Sequence, residues 1–192
     1  MPESALNRSW NPDKFRLRTL LERLIELGEV DVHDEPVALS ELSSIIEGTT
    51  RAQLFRSLGP ERLELAASLA GTRRLLAVAF GVPEDNMREE LSRRLARPQK
   101  AFEVPSAEAP VHELILTGVE IDLTRLPFYL QHEYDGAPYI SAGIDFTRDP
   151  LTGRNNVGAR RLMLRGRDRA GVNLTDPGSD LRRIYLGCVE RG

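Results

Sequence analysis

Between Asn156 and Arg161 the chain sets an amide, a glycine and two guanidinium groups within six residues. A neutral amide oxygen suits a hard divalent cation, above all one that also meets a phosphate. An arginine fork holds a carboxylate through parallel hydrogen bonds and polarises a neighbouring acid. Gly158 lacks a Cβ and lets another group come close to the backbone. Each residue also has a plainer reading. Asn156 is a turn residue satisfying local backbone after Gly153, Arg161 is a cation on a strand surface, and Arg160 reaches either phosphate or solvent.

The local charge fits a phosphate. From Arg154 to Arg183 stand eight arginines against three aspartates, in a chain whose net charge is -3. A basic segment on an acidic protein suits a small phosphate-bearing ligand. It does not suit nucleic acid, because the field of the whole protein repels a polyanion. The alternative is a solvated arginine-rich face. The three histidines, His33, His112 and His132, have no His or Cys partner at metal-ligand spacing and read as surface or core residues. His132, Glu133 and Asp135 read as a polar loop. Cys188 is the single cysteine, which excludes an internal disulfide and a multi-cysteine metal site. It falls on an apolar stripe and reads as core. No nucleophile elbow, P-loop or dinucleotide glycine motif is present. No apolar run approaches the roughly 20 residues of a membrane span, and residues 1–11 lack a signal-peptide core. With 41% hydrophobic and 29% charged residues, a globular protein of the cytoplasm is expected.

Periodicity predicts the elements that must position these groups. Leu17, Leu20, Leu21 and Leu24 recur at helical spacing, with Asn11 as a cap, Pro12 in the first turn and Gly28 as a left-handed stop. Glu29 to His33 reads as a strand. Leu42, Ile45 and Ile46 mark a short helix stopped by Gly48. Ala52 to Phe55 reads as a strand, as does Leu63 to Leu69, for which a helix is the alternative. Thr72 to Phe80 reads as a helix ending at Gly81, and Pro83 to Arg97 as another with Met87, Leu91 and Leu95 on one stripe. This alternation predicts a mixed α/β unit. Pro98 to Pro110, with three prolines, reads as a linker, so residues 1–110 form one domain with its linker and residues 111–192 a second.

Past the linker the period becomes two. Tyr139, Ser141, Gly143, Asp145 and Thr147 fall on one face, and Ile140, Ala142, Ile144 and Phe146 on the other. Asp149 to Gly153 supplies a turn, and Val157 to Arg165 a returning strand. A last helix begins near Asp180, capped by Ser179 or Asp180, with Leu181, Ile184, Tyr185, Cys188 and Val189 as its stripe. So small a unit buries little surface alone, and its apolar faces are expected to be covered by another chain or a continuation.

Several segments carry a resemblance. They are Leu123-Thr124-Arg125-Leu126-Pro127, then Asp135-Gly136-Ala137-Pro138-Tyr139-Ile140, then Thr147-Arg148-Asp149-Pro150 with Gly153 and Asn155 to Arg161. Less specific are Leu20 to Val30 and Thr72 to Gly81. Together they resemble the UbiD family of reversible, non-oxidative decarboxylases, from about residue 13 to residue 192. That covers less than half of a typical member. The family's later flavin-binding strands, acidic catalytic residues and carboxy-terminal oligomerisation domain have no match here.

The resemblance implies an amino-terminal mixed α/β domain followed by the first part of a split β-barrel flavin-binding domain. It implies prenylated FMN, a phosphate tied through Mn2+ (or Mg2+) with K+ nearby, and an aromatic or α,β-unsaturated carboxylic acid as substrate. Asn156 matches the family's metal-coordinating asparagine, and Arg161 its catalytic arginine beside the flavin. Gly158, Ala159 and Arg160 lie where the family's backbone runs against the cofactor. The second metal ligand is usually a histidine; Ser179-Asp180 stands there instead, so Asp180 is either a metal ligand or a helix cap. The usual third ligand, a glutamate, would lie beyond residue 192. The expectation is an amino-terminal subunit or fragment of a carboxy-lyase, working in an oligomer with a complementary carboxy-terminal chain that supplies the glutamates. No nucleic-acid or membrane partner is expected. The alternatives are a non-catalytic flavin-binding or assembly subunit, or an inactive truncated relative.

Overall fold

A computed structural model describes residues 16–97 and 105–192. The Asn11 cap, Pro12 and the first part of the linker lie outside the described residues. Two compact units result, interleaved in sequence: residues 16–37, 44–58, 64–97 and 105–113 form one, and residues 38–43, 59–63 and 114–192 the other.

The first unit contains a three-stranded sheet ordered β1-β2-β3, from Val30–His33, Ala52–Leu58 and Leu63–Ala67. β1 and β2 run parallel, with Val30 opposite Ala52 and His33 opposite Phe55. Parallel neighbours need a crossover, and the short helix α2 (Leu42–Glu47) lies in that connection. Helix α1 (Leu17–Glu26) buries Leu21 and Leu24, three residues apart on one side. These close over Val30, Ala52 and Leu54 together with Leu75 of α3 (Arg73–Phe80). Each such aliphatic side chain contributes about 1.5–3 kcal/mol on full burial. Gly28 has φ +70° just past α1, and Gly81 has φ +72° at the end of α3, where a left-handed residue closes the last turn. Thr72 caps α3 by accepting from the Leu75 N–H.

The opposite face of β1 and β2 carries a polar network. Gln53 is buried; its amide donates to Asp31 Oδ2 at 2.9 Å and its oxygen meets His33 Nε2 at 2.7 Å. The His33 ring stacks on Phe55 with centroids 4.5 Å apart. The stretch expected as one helix from Pro83 to Arg97 divides into a 3-10 turn, Glu84–Asn86, and α4, Met87–Leu95. No α4 residue is buried, so its stripe is not a core stripe here.

The second unit is built on an antiparallel sheet ordered β4-β5-β6, from Tyr139–Arg148, Asn155–Gly166 and Arg169–Val172. β6 escaped the sequence pattern because four residues hold too few alternations to register. Helix α5 spans Asp180–Val189, and its cap is Ser179, whose side chain accepts from the Arg182 N–H. Ile184 is its one buried residue, and Cys188 is exposed. The expectation of a core Cys188 is corrected: of the helix's apolar stripe, Ile184 is buried and Leu181 half-buried, while Tyr185, Cys188 and Val189 are exposed. No described helix is long and apolar enough to cross a membrane.

Candidate functional site

The hairpin is regular from Gly143 to Arg148, which pair with Arg160 back to Asn155. Nearer its open end, Ile140 pairs with Leu162 while Gly143 pairs with Arg160. Ser141 and Ala142 therefore stand opposite the single residue Arg161, a β-bulge in β4. The extra residue reverses side-chain direction across it. Tyr139 thus belongs with Ile144 and Phe146, and Ile140 with Gly143, Asp145 and Thr147. This corrects the strict alternation expected over Tyr139 to Thr147.

β5 itself alternates without interruption through these residues, and its candidates divide between its faces. Asn156, Gly158 and Arg160 share the face of Thr147, Asp145 and Gly143. Ala159 and Arg161 share the other face with Ile144, Phe146 and Tyr139. Asn156 and Arg161, five residues apart, point to opposite sides. β6 pairs only with the Leu162–Gly166 end of β5, so the edge of β5 beside Asn156 to Arg161 has no strand against it among the described residues.

On the first face, Asn156 Nδ2 donates to Thr147 Oγ1 at 3.0 Å, which orients the amide and leaves its oxygen free to accept. One rung along, Arg160 Nε lies 3.0 Å from Asp145 Oδ1. The contact is short but not aligned for a hydrogen bond, and both Asp145 oxygens and Arg160 Nε are enclosed without one. Gly158 makes the arrangement possible. A Cβ there would sit 2.7 Å from Arg160 Nη2 and 2.9 Å from Asp145 Oδ1. The guanidinium therefore folds back over Gly158.

On the second face, the Arg161 guanidinium lies over the Tyr139 ring, 5.4 Å from its centroid. A cation–π contact restrains it while leaving its N–H edge open. Arg161 has no ion-pair partner among the described residues. Ile144, Phe146 and Val157 on this face are 66%, 78% and 57% exposed.

The connection between the strands is tied to α5. Asp149 is buried and accepts from the Leu151 N–H at 2.9 Å, while Gly153, with φ +69°, donates back to the Asp149 carbonyl. Arg183 Nη1 donates to Asp149 Oδ2 at 2.9 Å, and Arg183 Nη2 to Asp180 Oδ1 at 3.1 Å. The Arg183 guanidinium, with the N–H groups of the turn, holds the Asp149 carboxyl well below the usual carboxylate range. Asp180 thus sits at the first position of α5, mostly exposed, with one oxygen on Arg183 and the other available.

Asp145, Tyr139 and the Asp149–Arg183 pair were not among the candidates read from the sequence. Opposite charges at Asp145 and Arg160 were the available signal, usable only once the hairpin register is known. His33 and His112 are bonded to Gln53 and Ser106. Asp135 accepts from the Gln131 and His132 N–H groups, closing a loop. No group of three or more His, Cys, Asp and Glu suited to a metal occurs among the described residues, so a cation at Asn156 would draw its remaining ligands from elsewhere. The amide oxygen, the enclosed charges and the glycine cradle nonetheless fit a metal-bridged phosphate.

Residues 102–185 match the family model of the UbiD 3-octaprenyl-4-hydroxybenzoate carboxy-lyase Rift-related domain. Anhydromevalonate phosphate decarboxylase of Methanosarcina mazei is 33% identical over 171 residues, covering 88% of this chain and 37% of the relative. The UbiD-class enzyme HmfF of Pelotomaculum thermopropionicum, in a structure with prFMN, superposes with a TM-score of 0.84 at 30% identity, over 92% of this chain and 42% of that one. Vanillic acid decarboxylase of Sedimentibacter hydroxybenzoicus, in its closed form, shares the fold with a TM-score of 0.84 at 23% identity, over 91% of this chain and 40% of that one. The chain spans about two-fifths of the length of these relatives. With a Rift-related domain over residues 102–185 and two small sheets, the chain is similar in sequence and fold to the amino-terminal part of UbiD-class enzymes.

Proposed function

We propose that this chain is the amino-terminal subunit or fragment of a UbiD-like carboxy-lyase that binds prenylated FMN and a divalent metal, and that a complementary carboxy-terminal chain supplies the glutamates. The substrate class is an aromatic or α,β-unsaturated carboxylic acid. The observation that carries this reading is the state of Asn156 and Arg161. Thr147 orients one with its oxygen available, and Tyr139 restrains the other with its charge uncompensated.

Their placement on opposite faces suits an elongated ligand crossing the open edge of β5. Its phosphate end would meet Asn156, and its reacting end Arg161. Asn156 Oδ1 would hold Mn2+ or Mg2+, both served by oxygen ligands; K+ nearby is part of the same reading. Arg161 would hold the substrate carboxylate or pair with an acid of the second chain. Ala159, beside it with a small side chain, leaves room over the strand. Asp180, with one carboxylate oxygen on Arg183, remains a candidate second ligand. When bound, the prenylated flavin supplies the electron sink for loss of carbon dioxide.

The test is co-expression of the chain with a polypeptide matching the remaining three-fifths of the UbiD fold. Flavin spectra, metal content and carbon dioxide release or exchange would be recorded. Activity in the assembly, absent from the chain alone and abolished by Arg161→Ala, is expected. Bound flavin without turnover would favour a binding or assembly subunit instead.

A further inference from the structure

We propose that the Arg160 guanidinium, folded over Gly158 beside Asp145, is the contact for the flavin's phosphomonoester on the Asn156 face of β5, with Asp145 as its positioning residue. This rests on the flavin-binding reading above and assigns parts within it: Arg160 to the phosphate, Arg161 to the opposite face.

Three observations converge. The first is direction, since Asn156, Gly158 and Arg160 alternate onto one face and Arg161 onto the other. The second is reach. Arg160 is four residues from Asn156 along the strand, yet its guanidinium sits at the level of Gly158, where a Cβ would lie 2.7 Å from Nη2. At about 3.3 Å per residue, that level is roughly 7 Å from Asn156. A cation about 2.1 Å from the amide oxygen and about 2.1 Å from a phosphate oxygen covers part of that gap. A second phosphate oxygen about 2.8 Å from a guanidinium nitrogen closes the rest.

The third is unmet bonding capacity. The Arg160 side chain forms an ion pair, Nε to Asp145 Oδ1 at 3.0 Å, but no aligned hydrogen bond among the described residues, and that Nε is enclosed. An enclosed N–H without an aligned acceptor is costly, and the two Nη groups, which are not enclosed, remain open to an incoming acceptor. Of the other arginines in the segment, Arg167 pairs with Asp122 and Arg183 with Asp149 and Asp180, while Arg154, which precedes β5, has no ion pair among the described residues. Asp145 draws the Arg160 side chain back along the strand, and a longer residue than glycine at position 158 would displace it.

The experiment compares FMN with riboflavin, which differ by the phosphate. The full chain, co-purified with its complementary chain, is titrated with each flavin in Mg2+ by fluorescence quenching. Wild type should prefer FMN. Arg160→Met should reduce that preference about tenfold or more, the usual scale for a hydrogen bond to a charged group, with riboflavin affinity unchanged. Asp145→Ala should reduce the same preference, and should add nothing in the Arg160→Met background. Gly158→Ala should reduce it as well. Should Arg160→Met fail to fold, Arg160→Lys serves, with a smaller but definite fall because the fork is lost.

Wild-type preference retained in Arg160→Met or Arg160→Lys overturns the proposal. A preference raised by Asp145→Ala overturns the positioning role, because it makes Asp145 a mere counter-charge. Failure of the wild type to bind either flavin removes the flavin-binding reading and this one together. FMN binding that is indifferent to position 160 removes this one alone.

Discussion

The molecule contains two three-stranded sheets that meet opposite fates. In β1-β2-β3, the side chains of both strand faces are engaged by the same unit. Leu21, Leu24 and Leu75 close over Val30, Ala52 and Leu54, and Gln53 ties Asp31 to His33 behind them. In β4-β5-β6, Ile144, Phe146 and Val157 stand open, and Arg161 has aromatic company but no counter-ion among the described residues. One sheet is a core and the other a presented surface.

Mutations break or sharpen that contrast. Leu24→Ala, which empties a fully buried position in the first unit, should cost about 2–5 kcal/mol by equilibrium denaturation. A loss under about 1 kcal/mol would mean that the first unit is not the packed one. Asp149→Ala should have a smaller effect, lowering the melting temperature by several degrees as α5 loses its hold on the hairpin connection. The same pair gives a pH signature. The Asp149 pKa is depressed in the folded chain, so its contribution is present above the unfolded value of about 4 and declines as pH falls below it. Acid melts of the wild type should show that decline, and Asp149→Ala should flatten it; an unchanged acid limb would show the pair to be idle. Phe146→Ser should move stability least, within about 0.5 kcal/mol, while raising solubility. A large loss on denaturation would mean that this face is covered within the chain after all.

Much of the scaffold was legible in the sequence. Leucine spacing marked α1, Thr72 and Gly81 bracketed α3, and the change of period past residue 138 announced the hairpin. The mixed α/β class and the UbiD resemblance were legible too, the latter through motif residues clustered around the hairpin turn. The site was legible only as residue types. Asn156 and Arg161 stood out through their match to the UbiD motif, but their division between two faces needed the strand geometry. Tyr139 was put on the wrong face because a bulge of one residue, invisible to a period-two count, reverses everything beyond it. Cys188 was put in a core because an apolar stripe records what a helix can bury, not what is there to cover it.

What the sequence determined by itself was local. Gly28 and Gly81, able to take positive φ, closed α1 and α3, Thr72 and Ser179 capped α3 and α5, and periodicity chose helix or strand, because these are energies within a few residues. What only the tertiary structure decided was pairing at a distance: Arg183 on Asp149 across 34 positions, and Arg160 on Asp145 with Gly158 making room. Those contacts depend on register, where a slip of one residue sends a side chain to the other face.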